Sequence, residues 1–221
     1  MAEFLTYQKF VKKERAEELI ALLAKHEIKA VFEDNTPSLG DSFGTSYEAD
    51  FAVKLHAEDF EKANQILLED SVGDLDAIDR DYYLFSFSDE ELRDIVAHRD
   101  EWNPFDFLLA QKLLKERGHE INQDQLNELR QQRIAELSKP EPKQIGAIVA
   151  GYIMAVLGGV LGIVIGGYLT TYKRTLPNGD RVYHYSQDDR KHGKRILCLG
   201  IFFLVFWILC WLLKWHEAFL S

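Results

Sequence analysis

Cysteine is nearly absent from this chain: there are two in 221 residues, Cys198 and Cys210, and both fall in the last apolar stretch. No disulfide can staple the region before residue 198, and the lack of cysteine there suits a reducing compartment. The seven histidines are scattered, with no His-Glu-x-x-His and no Cys pair, so no zinc site is expected. Gly-x-x-x-x-Gly-Lys and Gly-x-Gly-x-x-Gly are also missing, which removes the signatures of phosphate and dinucleotide binding. The acidic run Asp74, Asp76, Asp79 and Asp81 lacks the glycine and closing glutamate of a calcium loop and reads as a solvated linker. The expectation is no enzyme, no cofactor and no metal.

Positive charge is short before residue 145. Residues 1–144 carry 18 Lys and Arg against 32 Asp and Glu, whereas residues 145–221 carry 8 against 4. An acidic region repels phosphates, so nucleic acid is not an expected partner. Met1 to Phe10 has no basic region followed by an apolar stretch, so no secretory signal is expected.

Long apolar runs are present, and they are confined to the C-terminal part. Ile145 to Leu169 is free of charge over 25 residues, which as one helix would extend roughly 37 Å and cross a hydrocarbon core of about 30 Å. Ile196 to Leu213 adds 18 residues, roughly 27 Å of helix, just enough to span. Neither run shows a polar face. In the first, Gly158, Gly162 and Gly166 recur every four residues, and Ala147, Gly151, Ala155 and Gly159 form a second row. Small residues at that spacing let a neighbouring helix approach closely, and they are the candidate transmembrane packing positions. The second run carries Phe202, Phe203, Phe206, Trp207, Trp211 and Trp215. The pair reads as a small-faced helix packed on a large-faced one, or as a helix whose aromatics face lipid.

Between the runs, Leu176-Pro177-Asn178-Gly179 signals a turn and Arg181-Val182-Tyr183-His184-Tyr185 a strand, which together predict a β-hairpin between two spans. This loop also holds Lys173, Arg174, Arg181, Arg190, Lys191, Lys194 and Arg195. The positive-inside rule would place it in the cytoplasm, whereas the missing secretory signal keeps the acidic N-terminal region inside and sends a loop between two spans to the far face. Weighting the missing signal predicts a multi-pass protein of the inner membrane with both termini cytoplasmic.

The N-terminal region alternates elements. Phe4 to Val11, Lys29 to Asp34, Phe51 to His56 and Tyr82 to Phe87 read as strands, and Glu14 to Glu27 and Glu58 to Glu69 as amphipathic helices. The order strand, helix, strand, strand, helix, strand predicts a ferredoxin-like split βαβ sandwich, an α+β fold. Phe4-Leu5-Thr6-Tyr7, Ala16 to Leu23, Ile28-Lys29-Ala30, Phe51 to Leu55 and Phe60 to Leu67 resemble the small bacterial domain family labelled signal transducing protein, a PII-like domain of unknown function. That resemblance covers residues 4–69 and implies a signalling role. It also implies that the connection Asn35 to Ala49 is a contact loop. The connection holds Asp41, Phe43 and Tyr47, the candidate partner contacts, and no Lys or Arg, unlike a loop that binds phosphate. A structural loop, a protein contact and a small-ligand site all remain open for it.

Ser88-Asp89-Glu90-Glu91 is a capping box, Asn103-Pro104 a second helix start and Asn122 a third, with Pro140 and Pro142 stopping the last helix. The expected organisation is a PII-like domain over 1–87, a helical module over 88–139, a linker over 140–144 and a transmembrane hairpin over 145–213. The function expected is a membrane-anchored interaction or sensory module, or alternatively a structural membrane protein whose soluble domain drives oligomer assembly. The partners expected are the lipid bilayer, further copies of the chain and a protein whose identity is open.

Overall fold

The computed structural model describes residues 3–36, 50–76, 78–79 and 81–220. Among them lie eight α-helices and five short strands, in two compact units, Met1–Leu137 with Thr175–Asp180 and Ser138–Arg174 with Arg181–Ser221.

The first unit opens with a three-stranded antiparallel sheet. Strands β1 (Phe4–Phe10) and β2 (Val31–Asp34) flank the central β3 (Phe51–His56). Ala52, Val53 and Leu55 of β3 are fully buried. The β1–β3 register slips between Thr6 and Gln8, leaving Tyr7 as an extra residue whose hydroxyl donates to Asn64 Oδ1 at 2.8 Å. Helix α1 (Lys13–Lys25) contributes Ala16, Leu19 and Leu23 at helical spacing, and α2 (Phe60–Val72) contributes Phe60, Ala63 and Ile66. These side chains form one core with Leu5, Ile28, Val53 and Leu55.

A second core follows in the same unit. Helix α3 (Asp89–Ala97) starts on a complete capping box, with Ser88 Oγ accepting from Glu91 N and Glu91 Oε2 accepting from Ser88 N at 2.7 Å. Helix α4 (Pro104–Glu116) is capped by Asn103, whose Oδ1 accepts from Asp106 N at 2.8 Å. Leu92, Ile95, Val96, Phe107, Leu109 and Leu113 meet between the two. Helix α5 (Gln123–Leu137) buries no residue fully. It is tied down through Arg133, which donates from Nε and Nη2 to both Asp100 oxygens at 2.8 and 2.9 Å, and through Arg130 on Glu61. The turn Thr175–Asp180 belongs to this unit too, with Asn64 Nδ2 donating to Pro177 O at 3.2 Å.

The ferredoxin-like sandwich expected from the strand order is not formed, because its fourth strand is missing. Residues 82–87 fold instead as a single 3-10 turn, Tyr83–Ser86. Tyr82 Oη and Tyr83 Oη donate to the two oxygens of Asp106, each at 2.6 Å. Successive side chains of an extended strand face opposite sides of a sheet, so two adjacent phenols cannot both reach one carboxylate from a strand. Leu84 drops into the second core with no exposure.

The second unit overturns the two-span expectation. The first apolar run is two helices, α6 (Ile145–Leu157) and α7 (Val160–Thr171), of 13 and 12 residues. Their lengths come to about 20 and 18 Å, short of a core of about 30 Å. One helix, α8 (Gln187–Leu220), contains a stretch long and apolar enough to cross a membrane, Gln187–Leu213. The two-stranded ladder of β4 (Lys173–Thr175) and β5 (Arg181–Tyr183) therefore does not separate two spans; it precedes the one candidate span among the described residues.

Candidate membrane-inserting unit

The chain reverses between α6 and α7 at Gly158-Gly159. Gly158 closes α6 with its N–H donating to Met154 O at 3.2 Å, and Gly159 opens α7 at φ +75°, a backbone region that L side chains rarely adopt. Each glycine costs a helix about 1 kcal/mol of backbone entropy, and at this adjacent pair a run long enough on paper folds back on itself.

Glycine then sets how closely the three helices pack. A Cβ placed on Gly162 would collide with the backbone of Ala155, so α6 and α7 touch main chain to main chain across the hairpin. One turn further along α7, a Cβ at Gly166 would stand 2.6 Å from Leu197 N and 2.7 Å from Gly193 O of α8. The hairpin tip, Gly159, meets Gly200 and Leu204, and Trp207 Nε1 donates to Val156 O at 3.2 Å. Thus α7 runs antiparallel to α8 and α6 runs parallel to it. Gly158, by contrast, has open space within 4 Å of where a Cβ would sit. Of the three glycines singled out from the sequence, Gly162 and Gly166 lie in helix interfaces and Gly158 lies at the chain reversal. Gly193 and Gly200 of α8 escaped the sequence reading. Their seven-residue spacing in an otherwise bulky run was the available signal. Asp41, Phe43 and Tyr47 lie outside the described residues.

The base of the hairpin is held by polar main-chain contacts, all at one end. Glu141 N donates to His184 O at 2.9 Å, His184 N to Tyr172 O at 3.2 Å, and Arg174 Nη2 to Lys139 O at 2.5 Å. Gln144 N, just before α6, donates to Asp189 Oδ2 in the first turn of α8 at 3.4 Å. The chain therefore enters and leaves the hairpin beside the same end of α8. Aromatic and cationic side chains gather at that end. Tyr168 stacks on Tyr172 with centroids 4.6 Å apart, and His184 meets Tyr172 edge-on at 5.1 Å. The guanidinium of Arg190 lies 3.7 Å from the centroid of the Tyr183 ring, with Lys173 Nζ at 4.7 Å. Burial pushes the Tyr185 phenol up to about 12, with the neighbouring Tyr168 adding to the shift.

Beyond this girdle the surface is hydrocarbon. Phe202, Val205, Phe206, Trp207, Leu209, Trp211 and Leu213 of α8 are exposed, as are Val149, Ile153, Leu157, Leu161 and Val164 of the hairpin. Only 11% of the apolar window of α8 is buried within the protein. A core helix of a soluble domain would be covered on most sides, so the exposure of α8 is compatible with membrane association. No protein family matches the chain, and no curated protein or solved structure does either.

Proposed function

We propose that the chain is a membrane-anchored interaction or sensory module held by one crossing helix, α8, with the α6–α7 hairpin dipping into the bilayer beside it and returning to the same face. The observation that carries this reading is the uncovered apolar length of α8 beneath a girdle of Tyr168, Tyr172, Tyr183, Arg190 and Lys173. Tyrosine and basic side chains are the groups that favour the membrane–water boundary. The hairpin tip meets Leu204, eight residues into the apolar run that starts at Ile196. That is about 12 Å along the helix, less than halfway through a core of about 30 Å.

A dipping hairpin removes the orientation conflict met in the sequence. Residues 138–144 and the segment 172–195 lie on one face, and together residues 138–195 hold nine Lys and Arg against four Asp and Glu. The positive-inside rule then assigns that face, and the acidic domain preceding it, to the cytoplasm. Residues following α8 lie on the opposite face. The resemblance of residues 4–69 to a signal-transducing domain supports a sensory role, with Phe43 and Tyr47 as aromatic anchors for a protein partner.

Cysteine accessibility tests the topology. In a chain with Cys198 and Cys210 changed to alanine, single cysteines replace Glu120, Asp188 or Ser221, and intact cells receive a membrane-impermeant maleimide. Position 221 should label in intact cells, and positions 120 and 188 only after permeabilisation. If 188 labels in intact cells while 120 stays protected, the first apolar run crosses and the reading fails, with 221 protected if α8 crosses as well. If 120 and 188 label while 221 does not, the orientation is reversed.

A further inference from the structure

The first unit forms a partly open cavity of about 300 Å³ between α2, α3, α4, α5 and the turn Thr175–Asp180. This is the lower end of the range for small-molecule sites, about 300–1,000 Å³. Leu68, Val96, Phe107 and Leu126 give it apolar walls, while Gln111 and Asn127 supply polar edges. Three arginines, Arg99, Arg130 and Arg133, line it, and they differ in how they are balanced. Arg133 is matched by Asp100, Glu101 and Glu136, and Arg130 by Glu61.

Arg99 has no carboxylate partner among the described residues. Its guanidinium lies 5.1 Å from the centroid of the Phe107 ring, and Nη2 donates to Asn64 O at 3.2 Å. Most of its five N–H donors meet no acceptor among the described residues. Residues 1–144 offer 32 carboxylates against 18 basic groups, so a half-buried cation that pairs with none of the described ones is a specific omission. Burial lowers the Arg99 pKa, the shift expected where a charge is desolvated without a counter-ion.

We propose that this cavity binds a small amphipathic anion, an aromatic or aliphatic body bearing one carboxylate or phosphate group, with Arg99 receiving the anionic oxygens and the apolar walls receiving the body. An oxyanion there would use the idle donors of Arg99 in charge-assisted hydrogen bonds, which are the strong ones. Phe107 stands beside the guanidinium, and the Asn64 carbonyl accepts from it. Asn64 is itself held by the Tyr7 hydroxyl and by Pro177 O.

Titration of the full chain in lipid nanodiscs tests the site, using 2-naphthoate, 2-naphthyl phosphate and neutral 2-naphthamide, with empty nanodiscs subtracted. At least one of the two anions should bind saturably at one site, and roughly ten- to a hundredfold more tightly than the amide, the ratio expected for a hydrogen bond to a charged group. The preferred anion identifies whether carboxylate or phosphate is the natural group. Arg99→Gln should bring both anions to the level of the amide, and Ala97→Leu, at a further residue lining the cavity, adds bulk there while keeping the cation and should weaken all three ligands. Should Arg99→Gln fail to fold, Arg99→Lys carries the test, with an expected loss of about three- to tenfold because the forked donors are gone. Equal affinity for anions and amide, anion binding untouched by the Arg99 variant that folds, or no saturable binding above empty nanodiscs would each overturn the assignment. The inference stands apart from the membrane reading, since maleimide accessibility and ligand affinity fail separately.

Discussion

The Tyr83 phenol donates to one oxygen of the buried Asp106 carboxylate at 2.6 Å. Tyr82 and Asn103 donate to the same group, each at 2.6 Å, and Asp106 is 2% exposed. A carboxylate buried without a cation is tolerated because three side-chain donors satisfy it. Asp106→Ala should therefore destabilise the chain by about 2–4 kcal/mol, the range for breaking a buried polar group out of its network. Tyr83→Phe should cost about 1 kcal/mol, near the low end for a bond to a charged group because this phenol is partly exposed. Thermal melts of the variants in detergent check both. An Asp106→Ala melt equal to wild type would mean the network contributes nothing.

Tyr7 predicts how stability responds to alkali. Burial pushes its phenol pKa well above the ordinary value, with the nearby Arg99 pulling the other way. The folded chain keeps this proton where the unfolded chain, ionising near about pH 10, releases it. The contribution is thus fully present below about pH 10 and is lost as pH rises further. Tyr7→Phe should lose about 1 kcal/mol at neutral pH through the bond to Asn64, and should flatten the decline above pH 10. Parallel curves for variant and wild type between pH 9 and 12 would contradict the assignment.

Gly158 and Gly162 make a controlled pair in the hairpin. Gly162→Ala drives a methyl into the backbone of Ala155, whereas Gly158→Ala meets open space. The first should lower stability by about 1–3 kcal/mol, as overpacking does, and the second should change it little. Melting temperatures in detergent decide the comparison. Equal losses would mean that α6 and α7 do not pack as described.

Arg133 holds α5 in place. It engages Asp100, Glu101 and Glu136 from a side chain that is 14% exposed, on a helix with no fully buried residue. Its pKa is raised, chiefly by the hydrogen bonds to Asp100. Arg133→Gln should cost about 2–4 kcal/mol, since it leaves a partly buried carboxylate unpaired. Amide hydrogen exchange should show 123–137 losing protection while α1 keeps its own. Unchanged exchange across α5 would show that Leu126 and Leu129 dock it by themselves.

Local chemistry determined a good part of this protein. The spacing of Ala16, Leu19 and Leu23, the Ser88–Glu91 capping box, the Asn103-Pro104 start and the alternation in β3 act over a few residues, and each element is found where those residues stand. The charge-free apolar runs were equally plain, and with them a helix able to cross a membrane. The cation at the cavity was not legible, because what distinguishes Arg99 from Arg130 and Arg133 is the carboxylate it fails to meet, and partners distant in sequence decide that.

Two features were settled only by tertiary packing. Tyr83, Phe85 and Phe87 recur at every second position as in a strand, yet a single carboxylate 23 residues on from Tyr83 draws both phenols to one side and closes a turn. The run from Ile145 satisfies every length criterion for a span, yet it reverses at Gly158-Gly159. Hydrophobicity measures whether a segment prefers lipid, and it is the same for one long helix as for two short ones. The choice between them rests on close packing of Gly162 on Ala155 and of Gly166 and Gly159 on α8, contacts that exist only once the chain has folded back.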